Sequence, residues 1–146
     1  MRITVRQAVL QDVPRLLELY RLLDVGDDPQ LGLEQARQRF LAIAATADHT
    51  VHVAQSDGRI VGTFALILIA GLAHGARPFA IVEDVVVDAP LQGRGVGRQM
   101  MRFAMDRCVE RGCYKLALSS HLSRDQAHRF YESLGFAKHG FSYLVR

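Results

Sequence analysis

Apolar and polar positions change period several times along the chain, and each change marks an element. Ile3 to Arg6 alternates apolar and polar, the two-residue period of a half-buried strand. From Asp12 to Leu23 the period lengthens. Val13, Leu16, Leu17 and Tyr20 fall on one helical face, with Asp12 as N-cap and Pro14 tolerated in the first turn. The run D-V-G-D-D-P-Q-L-G breaks this pattern, and Glu34 to Ala45 reads as a second helix. Two strands follow, Thr50 to Gln55 and Ile60 to Ala70, joined by the hairpin signal S-D-G-R. After the loop G-L-A-H-G-A-R-P a third, Phe79 to Val87, predicts an antiparallel meander. A helix from Val96 to Arg111, a strand from Tyr114 to Ser119, a helix from Asp125 to Leu134 and a last strand from Ser142 to Val145 complete an α/β order.

Composition narrows the picture. At 146 residues, with no internal repeat or low-complexity linker, residues 1–146 predict one domain. The longest apolar stretch, Phe64 to Leu72, is far too short to cross a bilayer, so no membrane partner is expected. M-R-I-T-V-R-Q-A reads as a strand and lacks the apolar core of a signal peptide, which predicts a cytoplasmic protein with Cys108 and Cys113 reduced. Neither cysteine stands in a His/Cys spacing that binds zinc, and no metal is predicted. The net charge of +3 does not argue for nucleic acid, because the arginines are scattered and not interleaved with aromatic residues. A basic surface around an anionic small molecule accounts for it equally well.

The candidate chemistry begins where V-E-D-V-V-V ends in D-A-P and Q-G-R-G-V-G-R follows. Gly93, Gly95 and Gly97 put bare backbone between a strand and a helix, where N–H groups and the helix dipole attract phosphate oxygens. A Walker A loop would need lysine and a hydroxyl residue next; Arg98 and Gln99 stand there. A dinucleotide turn would need a carboxylate at the end of the following strand, which ends in Ser119 and Ser120. A ligand-free glycine connection would lose backbone entropy for nothing.

Gln92 to Gly97 fits the pyrophosphate-turn pattern Q/R-x-x-G-x-G/A, and H-R-F-Y-E-S-L-G-F, from His128 to Phe136, resembles a second signature of the same proteins. The chain is similar to the GNAT superfamily of acyl-CoA-dependent N-acetyltransferases over most of its length, most strongly from Ile81 to Phe136. That resemblance implies a mixed, mostly antiparallel sheet flanked by helices, with acetyl-CoA as co-substrate at the splay between the fourth and fifth strands. It places the first two helices beside the acceptor cleft and the pantetheine arm along Val85, Val86 and Val87, whose backbone would also polarise the acetyl carbonyl. The pyrophosphate falls to Gln92, Gly93, Arg94, Gly95, Val96, Gly97 and Arg98, and Tyr131 becomes the acid that protonates the departing thiolate. With an ordinary pKa of roughly 10, a phenol can do so at neutral pH. Arg124 departs from the pattern, since many members carry asparagine there; it either bonds the pantetheine or clamps an anionic group on the acceptor.

Glu83 and Asp84 interrupt an apolar strand, which is costly without a purpose. Strand alternation predicts that they face opposite ways, with Glu83 on the face of Val85 and Val87, where it either takes the proton of the attacking amine or pairs with an arginine such as Arg77. The motifs look most like those of glucosamine-6-phosphate and aminoalkylphosphonate N-acetyltransferases, which act on small amines bearing a phosphorus oxyanion. Arg77, Arg124, Ser120 and His121 are the candidate acceptor contacts, with His74 a lesser one. L-S-S stands where the amino-sugar enzymes tend to carry an acidic residue. Two other functions use the same donor site: a protein or peptide N-acetyltransferase, and a non-catalytic acyl-CoA-binding module. The terminal strand F-S-Y-L-V suits pairing with a second copy, and a homodimer is expected.

Overall fold

The computed structural model describes residues 1–23 and 28–146. Four strands, β1 (Thr4–Gln7), β2 (His49–Ser56), β3 (Arg59–Ile69) and β4 (Phe79–Val87), run antiparallel in sequence order, and β5 (Leu116–Ala117) adds in parallel to β4. The helices are α1 (Val13–Tyr20), α2 (Leu33–Ala44), α3 (Val96–Glu110) and α4 (Asp125–Ser133). The predicted break after α1 falls partly on residues 24–27, outside the described residues.

Two apolar layers hold the helices to the sheet. On one face, α1 brings Leu16 and Leu19 onto Val51, Val53 and Val86. On the other, Val96, Met100, Met101 and Ala104 of α3 recur at helical spacing and meet Phe64, Leu66 and Val82. Gly62 permits the close approach of α3. A Cβ there would lie 2.9 Å from Met100 Sδ and 3.2 Å from Val96 Cγ1. The β2–β3 connection is the two-residue turn that S-D-G-R predicts, with Asp57 and Gly58 both at positive φ.

Four expectations are corrected. Asp12 does not cap α1 with its side chain; the carboxylate turns back to accept the Val9 N–H (2.8 Å) and the Arg6 guanidinium (2.7 and 3.0 Å). Leu19, not Leu17, is the third buried position of α1, because the packed stripe steps by three. The predicted strand 114–119 shrinks to two residues, since only Leu116 and Ala117 stay beside β4 before the chains part. No strand forms at 142–145: that segment leaves the sheet, with Tyr143 and Leu144 exposed and Ser142 Oγ 3.1 Å from Ser119 Oγ.

Candidate active site

The site is built around the second half of β4. Beyond Ile81 no strand among the described residues pairs with the outer edge of β4, so Val82 to Val87 keep sheet partners there on the β3 side alone. Within this half the register slips. Ala65 faces Glu83 but Thr63 faces Val86, so β4 carries one extra residue, and Asp84 sits in the left-handed region at φ 52°. This bulge overturns the predicted alternation. Val82 packs under α3, and the extra residue returns Val85 and Val87 to that same face, which leaves Glu83 on the opposite one. Both carboxylates are exposed, and among the described residues neither forms an ion pair. Partial burial, and then the charge of Asp84, push the Glu83 carboxyl above its ordinary range.

The glycine turn follows at once. Gly93 and Gly95 take φ of 76° and 90°, which a side chain resists, and a Cβ at either would meet only open space. Gly97 is different. Its Cβ would lie 3.0 Å from Phe130 Cζ, so this glycine lets α4 close on the first turn of α3. The N–H groups of Gly93, Gly95, Val96, Gly97 and Arg98 find no acceptor among the described residues, as the start of a helix predicts. Arg94, Arg98 and Arg102, spaced by four, are exposed and form no ion pair among the described residues. Gln92 folds its side chain back along the surface: Nε2 donates to the Val87 carbonyl (3.1 Å), tying the turn to the end of β4.

Tyr131 of α4 belongs to the same apolar cluster as Val85, Val87 and Leu118. Its ring lies 5.2 Å from Phe130 and 5.8 Å from Phe136. Burial raises its pKa, and the positive charge of Arg124 acts in the opposite sense. Arg124 is the residue before α4, beside a hollow of about 460 Å³ that Ser123, Asp125 and Arg129 also line. His121 Nδ1 accepts the Ser123 N–H (3.1 Å), and its carbonyl accepts from His128 Nε2 (2.8 Å), which fastens the loop after β5 to α4. The Ser120 hydroxyl is shut off from solvent and has no partner among the described residues.

Two predicted residues are not brought here. Arg77 and His74 precede β4, and with about 3.3 Å per strand residue Arg77 stands about 25 Å from Val85. There Arg77 donates to the His74 carbonyl (3.0 Å) and lies over Tyr114, on which the His74 ring stacks at 4.1 Å. Conversely, the bulge at Asp84 and the contacts of Asp88, the last residue before the turn, escape the sequence reading. The doublet Glu83–Asp84 inside an apolar strand was the one signal of the bulge; nothing in the sequence marks the partner of Asp88.

The sequence from residue 13 to 136 matches the acetyltransferase (GNAT) family. The chain belongs to that family. GNAT acetyltransferases use acetyl-CoA as acyl donor, and the GNAT fold is the one described above. Glucosamine 6-phosphate N-acetyltransferase 1 of Oryza sativa subsp. japonica is 33% identical over 92% of this chain and 81% of its own length. Aminoalkylphosphonate N-acetyltransferase of Salmonella typhimurium strain LT2 is 30% identical over 66% of this chain and 63% of its own. The crystal structure of glucosamine-6-phosphate N-acetyltransferase from Arabidopsis thaliana superposes with a TM-score of 0.86 at 25% identity, covering 100% of this chain and 99% of that one. Among the described residues no helix is long and apolar enough to cross a membrane, and no group of three or more metal-ligating side chains gathers.

Proposed function

We propose that this GNAT protein moves the acetyl group of acetyl-CoA to the primary amine of a small metabolite carrying a phosphorus oxyanion, an amino-sugar phosphate or an aminoalkylphosphonate. One observation carries the reading: an unpaired strand edge, Val82–Val87, runs straight into a turn of free N–H groups and cations while a half-buried tyrosine packs on the same face. The amide-rich pantetheine arm pairs with that edge as an added strand, and the turn takes the pyrophosphate. Arg94, Arg98 and Arg102 add counter-charge.

The amine nitrogen attacks the thioester carbon, and backbone N–H groups of Val85 and Val87, which alternate with the β3-facing N–H groups of Val86 and Asp88, stabilise the oxygen as it gains negative charge. Glu83, with its raised pKa, takes the amine proton directly or through water. The carbon–sulfur bond then breaks, and the sulfur receives the Tyr131 hydroxyl proton, which the raised phenol pKa keeps in place at neutral pH. Arg124 and His121 face the acceptor or the pantetheine, whereas the Ser120 hydroxyl, shut off from solvent, would need its side chain to turn before it met either. Arg77 has no part in this scheme, given its distance along β4. The 146 residues act as one cytoplasmic domain, and the exposed Phe141, Tyr143, Leu144 and Val145 support association of two copies.

Calorimetry with acetyl-CoA, followed by thiol release against a panel of amines, tests the whole. Micromolar binding with turnover of an amino-sugar phosphate or an aminoalkylphosphonate is expected. Turnover on peptide amino termini alone would move the acceptor to proteins. Binding without turnover on any amine would leave an acyl-CoA-binding module, and no binding would overturn the reading.

A further inference from the structure

Asp88 is the residue at which β4 stops being a strand and the donor turn begins, and it is held from several directions. Its N–H donates to the Val61 carbonyl (2.9 Å), and its carbonyl accepts the Leu91 N–H (2.9 Å). Its carboxylate receives Arg15 Nη2 from α1 at 2.7 Å, with Arg59 Nη2 farther off at 3.8 Å. Arg15 is committed at every nitrogen. Nε donates to the Ile60 carbonyl at the start of β3 (3.1 Å), and Nη1 reaches Glu18 one helical turn on (2.8 Å). The Arg15 and Asp88 side chains are 23% and 18% exposed, so this pair is shielded from solvent and salt far better than the surface pair Arg111–Asp48, at 52% and 43%.

We propose that Arg15 is a positioning residue for the donor-binding turn. A guanidinium bound at once to α1, to β3 and to Asp88 fixes where β4 ends. Gln92, which donates to Val87 only one residue before Asp88, passes that position on to Gly93 and Gly95. The pantetheine edge and the pyrophosphate seat lie on either side of Asp88, so the ion pair sets the angle between the two halves of one extended ligand. A small displacement there separates halves that must be contacted together, so the donor gains one set of contacts only by loosening the other, and affinity falls. No contact between Arg15 and the ligand is needed.

The inference rests on the acetyl-CoA reading, and its test separates the two. Acetyl-CoA affinity is measured by calorimetry, and turnover by thiol release, for the wild type, Arg15→Met, Arg15→Lys, Asp88→Asn and the double variant Arg15→Met/Asp88→Asn. Arg6→Met serves as the control. It breaks the ion pair between β1 and the residue before α1, where Asp12, at 9% exposed, is better buried than Asp88 and two strands separate β1 from β4. Expected is a rise in the dissociation constant of about tenfold or more for Arg15→Met and Asp88→Asn, with kcat at saturating donor within about twofold. Arg15→Lys recovers part of the loss, and the double variant binds no worse than either single one. Arg6→Met lowers the melting temperature at least as much as Arg15→Met yet binds like the wild type. Wild-type affinity in folded Arg15→Lys and Asp88→Asn, or equal weakening in Arg6→Met, would overturn the assignment. A wild type that does not bind acetyl-CoA overturns the donor reading itself, and this one with it.

Discussion

The two halves of β4 use similar residues for different ends. In the first half Ala80 and Ile81 are paired on both sides, with β3 and β5, and the inward residues Ala80 and Val82 are sealed under α3. Glu83 to Val87 is paired on one side only, carries a bulge at Asp84, and faces the place where β5 turns away. The first half spends its backbone hydrogen-bonding capacity on the fold, and the second half keeps an edge available. An unpaired edge is ordinarily a hazard for aggregation; here it lies beside a turn of free N–H groups, and under the proposed function the pantetheine arm would pair with it. Stability and chemistry are therefore separable along a single strand, and substitutions in the two regions should be told apart by what they move.

The sharpest break of that comparison comes from Tyr131→Phe, which keeps the ring packing and removes the proton. Turnover should fall by about 10²- to 10⁴-fold, with acetyl-CoA affinity and melting temperature nearly unchanged. Normal turnover in a stopped assay of thiol release would remove Tyr131 from the mechanism. Next is Glu83→Gln. As a base, Glu83 must be deprotonated, so the wild-type rate falls as pH drops through its raised pKa. The variant should lose on the order of 10²-fold above that pKa, and its profile should lack the acid limb. The same loss at every pH would give Glu83 a structural role.

On the packed side, the predictions concern stability alone. His52 is 5% exposed, stacked on Phe64 with ring centroids 5.0 Å apart and tilted against Phe103 at the same distance. Burial, with Arg107 adding to it, lowers its pKa to about 4. The unfolded chain takes up a proton near the ordinary histidine value that the folded chain refuses, so stability held above that value drains away as pH falls towards 4. Between pH 7 and pH 5 the loss is about 2 kcal/mol, seen as a lower urea midpoint, and His52→Phe should remove that pH dependence. The smallest expected effect is that of Val82→Ala, about 1 to 2 kcal/mol of stability from lost methyl packing, with donor affinity intact. Weakened acetyl-CoA binding there would show that the two halves of β4 are not separable after all.

Much of this was legible in the residues themselves. The helices, the β2–β3 hairpin and the meander follow from periodicity and turn chemistry, because short-range pattern and local sterics decide them. The glycine turn and the tyrosine helix are also local, each written within about ten residues, and they carried the family and with it the sheet order. Failures were of another kind. Strand length at β5 depends on whether a neighbour stays within hydrogen-bonding distance, and no residue of Tyr114–Ser119 says that the chains part after Ala117. The tail 141–145 has strand-like composition but pairs with no strand, and nothing local to it decides that.

What the sequence alone determined, then, is the helices, the meander, their order and the presence of a glycine turn between a strand and a helix, because each rests on interactions between residues close in the chain. Tertiary structure decided which faces those elements present. One extra residue at Asp84 reversed the side on which Glu83 stands relative to Val85, since side chains alternate every residue and a bulge shifts the count by one. It also decided that Gly97 serves packing against Phe130, that Arg77 stands far from the turn, and that Arg15 reaches Asp88 across 73 residues. Those facts belong to long-range contacts, which no local pattern encodes.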